Sequence, residues 1–432
     1  MTQDEWLHHV ERVLRLGGAD DISVAYLRRR LGATRFAGSC LTQCSETDEP
    51  VVEVRVAIGG RVGTSRTGDL ALDALSRAHR EAVEAAKARP PVAKFPGFPD
   101  AQPIPVLGGW AEATARAGAA ERVDALRPIF AEADARGLAC AGILLTSEVE
   151  RGVASTRGVR GFARQTFAKM DMIAADGDAS GQAGGTHADL ARLDPASVAR
   201  RAFDRAERSR DPVDVEPGVY DVLLEPAAVS EVLEWLGVTT FGARTILDGT
   251  SAVAGRLGEK LFGENITIVD DPRSAADGAV PRPFDSEGVP SQRVVLVERG
   301  VARGYVSDTL TAARLGTRST GHAPHIGEDF AEGPIPTHLR LEPGDVPRAD
   351  LPKVLGRGLL VTRFHYVNGL LDTRNATMTG LTRDGLYVVK DGEPGRAARN
   401  LRWTQSMLEA LGRVDAIARE LRPVPTWWSE GS

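Results

Sequence analysis

Asp285 and Glu287 stand two residues apart in Pro283-Phe-Asp-Ser-Glu-Gly-Val-Pro-Ser-Gln292, a spacing at which paired carboxylates could share acid–base work. Pro283, Gly288 and Pro290 around them equally read as a shaped turn. Further on, Ser319-Thr320-Gly321-His322 sets a hydroxyl beside an imidazole. A serine hydrolase also needs a base in reach and an oxyanion hole, and no Gly-x-Ser-x-Gly pattern surrounds Ser319. A metal would have to use His322, His325, His338 and His365, with Glu328 or Asp329. His322-Ala-Pro-His325 lies in a Pro/Gly-rich loop without a His-Glu pair, so the reading favours polar residues lining a cleft or interface. Cys40 and Cys44 have no second Cys or His pair nearby. Gly255, Gly258 and Gly263 fail both the dinucleotide and the phosphate-loop spacing.

The elements that must hold these residues are strand-rich. Arg293–Glu298 and Val301–Val306 read as a hairpin turning at Arg299-Gly300, followed by a short helix ending at Gly316. Val219–Leu224, Ile266–Val269, Thr337–Leu341, Gly358–Thr362 and Gly385–Lys390 add further strands, a spacing that suits a curled sheet or irregular barrel. Leu401–Leu421 reads as a final helix.

Before residue 211 the pattern is α+β. Asp4–Leu16 and the Ala-rich Asp69–Arg89 read as amphipathic helices, the second stopped by Pro90-Pro91. A third helix is expected over Glu112–Gly137, interrupted or kinked by Pro128, and a fourth over Pro195–Ser209. Strands are expected at Asp21–Arg30, Val51–Ile58, Arg61–Thr67, Ala139–Ser147, Arg151–Ser155 and Gly161–Ala175. Gly177–Gly185 reads as a mobile Gly-rich stretch, and 90–109, with its prolines, as an extended surface linker. Asp211-Pro-Val-Asp-Val-Glu-Pro-Gly218 offers little to bury, so it divides an N-terminal α+β domain, 1–210, from a strand-rich C-terminal domain, 211–432.

Composition excludes several classes. A net charge of −6 and a pI near 5.9 argue against nucleic acid as a partner, since phosphate neutralisation needs basic surface. Arg28-Arg29-Arg30 is read as a solvated strand end. Three cysteines make no disulfide framework and fit a reducing cytoplasm. No apolar run reaches membrane-spanning length, and Met1–Val10 lacks a signal-peptide core.

The segment from Phe284-Asp-Ser-Glu-Gly-Val-Pro-Ser-Gln292 through the hairpin to Arg318-Ser-Thr-Gly-His322 resembles the C-terminal domain of the TldD/PmbA (TldE) family of peptidase subunits. Arg35-Phe36-Ala37-Gly38-Ser39, Arg61-Val62-Gly63, Asp176-Gly177-Asp178, Leu341-Glu-Pro-Gly-Asp345 and the region Asn400–Arg419 extend the resemblance over most of the chain. In that family the TldD half carries zinc on a helix reading His-Glu-x-x-x-His, with a later Cys. The matching helix here is Pro226-Ala-Ala-Val-Ser-Glu-Val-Leu-Glu-Trp-Leu236, which offers Glu231 and Glu234 but no His. No His occurs between His187 and His322, and all three cysteines precede residue 141.

The resemblance therefore implies the metal-free PmbA/TldE-type subunit: no cofactor in this chain, zinc in a TldD-like partner, and peptide as substrate. It further implies peptide-channel or partner contacts at Asp285, Glu287, Gly288, Gln292, Arg293, Arg318, Ser319, Thr320, Gly321 and His322. On that reading, substituting Asp285 or Glu287 spares the stability of the isolated subunit. Three alternatives stay open: a homodimer, a stand-alone peptidase with an unusual metal set, and a regulator of the DNA gyrase modulator type.

Overall fold

The computed structural model describes residues 1–326 and 333–425. Helix α1 (Gln3–Leu14) starts in a capping box between Thr2 and Glu5 and buries Trp6, Val10 and Val13. Strands β1 (Asp21–Ala37), β2 (Cys40–Ile58) and β3 (Arg61–Thr67) follow, then helix α2 (Leu72–Ala88). The helix expected over Glu112–Gly137 is two, α3 (Glu112–Arg116) and α4 (Ala119–Ala135). The break falls at Ala117-Gly118, where Gly118 is the N-cap of α4, while Pro128 sits inside α4.

Three long strands, β4 (Ala139–Ser155), β5 (Arg160–Asp176) and β6 (Ala179–His187), lead to α5 (Leu190–Leu193) and α6 (Pro195–Arg208). The six strands form one antiparallel sheet in the order β3-β2-β1-β4-β5-β6. The Gly-rich stretch expected to be mobile is the regular strand β6. Its glycines serve packing: a Cβ on Gly181 would collide with the backbone of α6 at Ala202 and Ala206. Arg28–Arg30 lies mid-strand in β1, not at a strand end, and its charge is met by Asp48, 2.6 Å from Arg28, and Glu148, 3.2 Å from Arg30.

No helix or strand occupies Ser209–Asp221. Beyond it come β7 (Val222–Leu224), α7 (Pro226–Thr240), α8 (Ala243–Leu247), β8 (Ile268–Asp270), β9 (Val294–Glu298), β10 (Val301–Ala302) and α9 (Thr309–Leu315). The chain ends with β11 (Leu339–Leu341), α10 (Leu351–Leu355), β12 (Gly358–Asp372), β13 (Thr377–Lys390), β14 (Glu393–Ala397), β15 (Arg402–Ser406) and α11 (Met407–Leu411). These strands make two sheets, β10-β9-β8-β11 and β14-β13-β12-β7 with β15 added to β13. The strand-rich part is thus two small sheets, with no closed barrel, around an apolar core that includes Trp235, Phe241, Phe262, Leu296, Phe364 and Met378.

The final helix is also corrected. Arg402–Ser406 pairs with β13, Ser406 caps a helix of five residues, and an extended segment runs on from Gly412. Its backbone joins the segment after β11 through a parallel bridge between Val346 and Ala418.

Candidate functional site

The two family-signature loops form one buried knot. Asp285 is 2% exposed, and its carboxylate accepts hydrogen bonds from the amides of Glu287 and Val289 at 3.0 Å and of Ala323 at 2.9 Å. Burial, with the charge of Glu287 beside it, pushes Asp285 up to about 7 against the pull of these amides and Arg282. Glu287 accepts from the amide of Thr309 at the start of α9 (2.9 Å). Buried Arg282 donates to the carbonyl of Ala323 (2.8 Å). Gln292 donates to the carbonyl of Ser319, and Ser319 and Thr320 donate to the carbonyl of Ser307. Gly321 has φ +74°, and a Cβ there would strike Pro290.

The knot is also the clasp between the two halves of the chain. Phe284 packs against Val153 and Val159 of the N-terminal half, with Ile104 from the Pro-rich stretch completing the pocket. That stretch is therefore more than a surface linker. Glu287 pairs with Arg55 on β2 at 3.5 Å. Gly288 has φ +81°, and a Cβ would collide with Val159, so glycine is required here for backbone shape and for close approach. Asp285 and Glu287, expected as peptide-channel or partner contacts, hold backbone and seam within this chain. Arg293 and Arg318 remain at the surface, the former 3.0 Å from Glu342.

His322 and His338 both meet Asp270, but the histidines form no ligand set. Nε2 of His322 lies 2.7 Å from Asp270, and its Nδ1 lies 2.9 Å from Oγ1 of Thr320. Both ring nitrogens are thereby engaged, so His322 is no base for Ser319. Burial alone would raise Asp270, but the hydrogen bond and charge of His322 hold it below the usual range. His325 lies 2.8 Å from Arg151, and burial with the nearby arginines lowers it well below the ordinary imidazole range. His338 lies 2.8 Å from the carbonyl of Val280, and His365 sits apart on β12. Among the described residues no three His, Cys, Asp or Glu side chains are grouped to hold a metal; Glu328 and Asp329 lie outside those residues.

Chemistry on a large ligand has another place to occur. A cleft of ≈ 1220 Å³ is walled by β7, α7, β11 and the extended segment after α11. Helix α7 turns Val229, Ser230, Leu233 and Glu234 to it, and His322, His325, His338 and Arg282 also line it. This is the helix on which the resemblance places the catalytic motif. Its donor set of one hydroxyl and one carboxylate lacks the imidazole and thiolate ligands of a zinc centre, and the residues do not fit that metal. Glu231, also on α7, is raised to about 7 by burial, against the pull of Arg363. Sequence reasoning missed the cleft wall. The one signal for it was the apolar run Val219–Leu224, which carries a single charge and leaves Val219 99% exposed.

Comparison with known proteins accords with this geometry. Residues 217–430 match the family model described as the PmbA/TldA metallopeptidase C-terminal domain. The crystal structure of TldE from Thermococcus kodakarensis superposes with a TM-score of 0.88 over 96% of each chain, at 22% identity, a likeness of fold. A metalloprotease of Methanothermobacter thermautotrophicus is 29% identical over 235 residues, 54% of this chain and 50% of that protein. The metalloprotease PmbA of Escherichia coli O157:H7 is 29% identical over 106 residues, 24% of this chain and 21% of that one. These matches span half or less of the length of either relative. The fold is shared with that TldE structure. The chain belongs to the TldD/PmbA/TldE family. Among the described residues, no helix is long and apolar enough to cross a membrane.

Proposed function

We propose that this chain is the non-catalytic, PmbA/TldE-like subunit of a TldD-type zinc metallopeptidase. It acts in the cytoplasm on unfolded or small peptides, leader segments of ribosomally made peptides among them. One observation carries the reading. Helix α7, in the position of the catalytic helix, lines the cleft with Val229, Ser230, Leu233 and Glu234 and offers no zinc donor set. Zinc, its bound water and the activating carboxylate come from a TldD-like partner, while this chain supplies channel wall and exclusion of folded protein. Ser319 gives no alternative route, since its hydroxyl donates to the carbonyl of Ser307 and no free base faces it.

The test is peptide cleavage by this chain alone, by a chain from the same genome bearing His-Glu-x-x-x-His, and by the two mixed. Cleavage should need the mixture and vanish when the motif Glu of the partner is replaced. Elemental analysis of the isolated chain should find no stoichiometric zinc. Chelator-insensitive cleavage by this chain alone, or one zinc per chain lost in a His322→Ala/His325→Ala variant, would overturn the assignment.

A further inference from the structure

Two of the sheet edges among the described residues are built oppositely. Strand β3 covers β2 from Val52 to Ile58, so the outer edge of Cys40–Pro50 has no strand partner. That edge carries Glu46, Asp48, Glu49 and Pro50, the charges and proline that keep an exposed edge from pairing with another chain. The second edge is β7. It pairs with β12 in register Val222↔Leu359 to Leu224↔Val361, and Leu359 donates to the carbonyl of Asp221 while Glu225 donates to that of Val361. Asp221, Leu223 and Glu225 therefore face β12, and Tyr220, Val222 and Leu224 turn their backbone groups the other way. No strand among the described residues meets that side.

This second edge is not guarded. Asp221 is the single charge between Gly218 and Leu224, and Val219, Val222 and Tyr220 are 99%, 47% and 38% exposed. An apolar open edge is an aggregation hazard unless something uses it or shields it. Here the whole of Gly218–Leu224 lies along the cleft. Helix α7 contributes Val229 and Leu233 to the same space, and β11, the edge strand of the other C-terminal sheet, contributes Leu339 and Leu341. A concave site of this kind admits one extended chain and excludes the sheet edge of a folded neighbour.

We propose that the cleft of this chain itself captures an extended peptide, added as a strand to β7, with apolar side chains at alternate positions directed toward Val229, Leu233 and Leu339. Backbone pairing gives affinity without sequence specificity, and the alternate apolar contacts give a preference for unfolded, hydrophobic segments. The inference rests on the peptidase-subunit reading and assigns this subunit a substrate-holding role of its own.

The experiment is fluorescence anisotropy on the isolated full chain with a labelled ten-residue peptide alternating Leu and Ser, flanked by Lys. Saturable binding is expected. Of two versions N-methylated at alternate residues, one in each frame, the one that lacks the amides facing β7 should bind at least roughly tenfold more weakly. Val222→Pro removes an amide that faces the cleft and not β12, and should weaken binding to a similar degree. Should Val222→Pro fail to fold, Val219→Lys places a guarding charge on a fully exposed position and should weaken binding several-fold at unchanged melting temperature.

Absence of saturable binding, or undiminished binding of both N-methylated versions, would overturn the proposal. So would sedimentation showing that wild-type chains dimerise through this edge while Val219→Lys stays monomeric and neither takes up peptide. Loss of peptide binding with cleavage by the mixed subunits intact sinks this proposal alone. Binding without cleavage on mixing sinks the subunit assignment alone.

Discussion

Pro283–Gln292 and Gly218–Leu224 both belong to the C-terminal half, yet they use their polar groups in opposite ways. In the first, every carboxylate and most backbone groups are satisfied internally: Asp285 takes three amides, Glu287 takes Thr309 and Arg55, and Phe284 fills a pocket in the other half. In the second, backbone groups and apolar side chains are left toward a cleft. The difference separates two kinds of constraint. A buried polar knot tolerates few residues because each unmet group costs desolvation, and so it leaves a recognisable motif. A binding wall that reads backbone needs only extended, apolar sequence, and so leaves none.

The comparison can be broken most sharply at Phe284. Phe284→Ala should cost about 3–5 kcal/mol in urea-induced unfolding, by emptying the seam pocket. A loss below 1 kcal/mol would mean that the halves are held elsewhere. Asp285→Ala comes next, with an expected loss of roughly 3 kcal/mol from three stranded amides. An unchanged melting temperature would restore the view of this loop as a ligand-facing surface.

Glu231→Gln probes the buried side of α7 through pH. The folded-state pKa of Glu231, about 7, stands above its ordinary 4.5, so between these values the native state holds more protons than the unfolded one. Its contribution to stability therefore falls as pH rises from 4.5 to 7. The variant should show a flatter pH–stability profile over that window and exceed wild type at pH 8. A parallel profile would show that Glu231 titrates normally. The smallest effect is expected from Val219→Lys, within about 0.5 kcal/mol of wild type in thermal unfolding, because this side chain is fully exposed. A larger loss would mean that the edge carries structure of its own.

Much of the architecture was legible because it is local. The Ala-rich face of α2, the β9–β10 hairpin turning at Arg299-Gly300, and the short α9 closed by Gly316 each follow from periodicity and turn residues within one window. The final helix misled because Leu401–Leu421 contains good helix formers, while the pairing of Arg402–Leu381 through Ser406–Thr377 decides the outcome from twenty or more residues away. At the site, the signature loops were recognised but their burial was not. The acceptors and donors of Asp285 include Ala323, thirty-eight residues on, and the seam partners Arg55, Val153 and Val159 lie in the other half. The cleft was invisible for the same reason: β7, β11 and the segment after α11 are distant in sequence and carry no catalytic residue type in common.

The central position of β1 governs how the N-terminal sheet is assembled in time. Its pairing with β2 closes a hairpin of two residues, Gly38-Ser39, whereas its pairing with β4 joins Arg30 to Glu148, 118 residues away. The first ladder can zip in microseconds. The second must await closure of a loop that contains three helices and the whole Pro-rich stretch, which makes it the slower of the two steps. During synthesis the edge of β1 away from β2 has no partner until β4, which pairs with it from Gly142 to Ser155, has emerged. A nascent chain paused before that point exposes the fourteen-residue edge Ser23–Phe36, the kind of unpaired edge that makes a partly folded chain prone to aggregate.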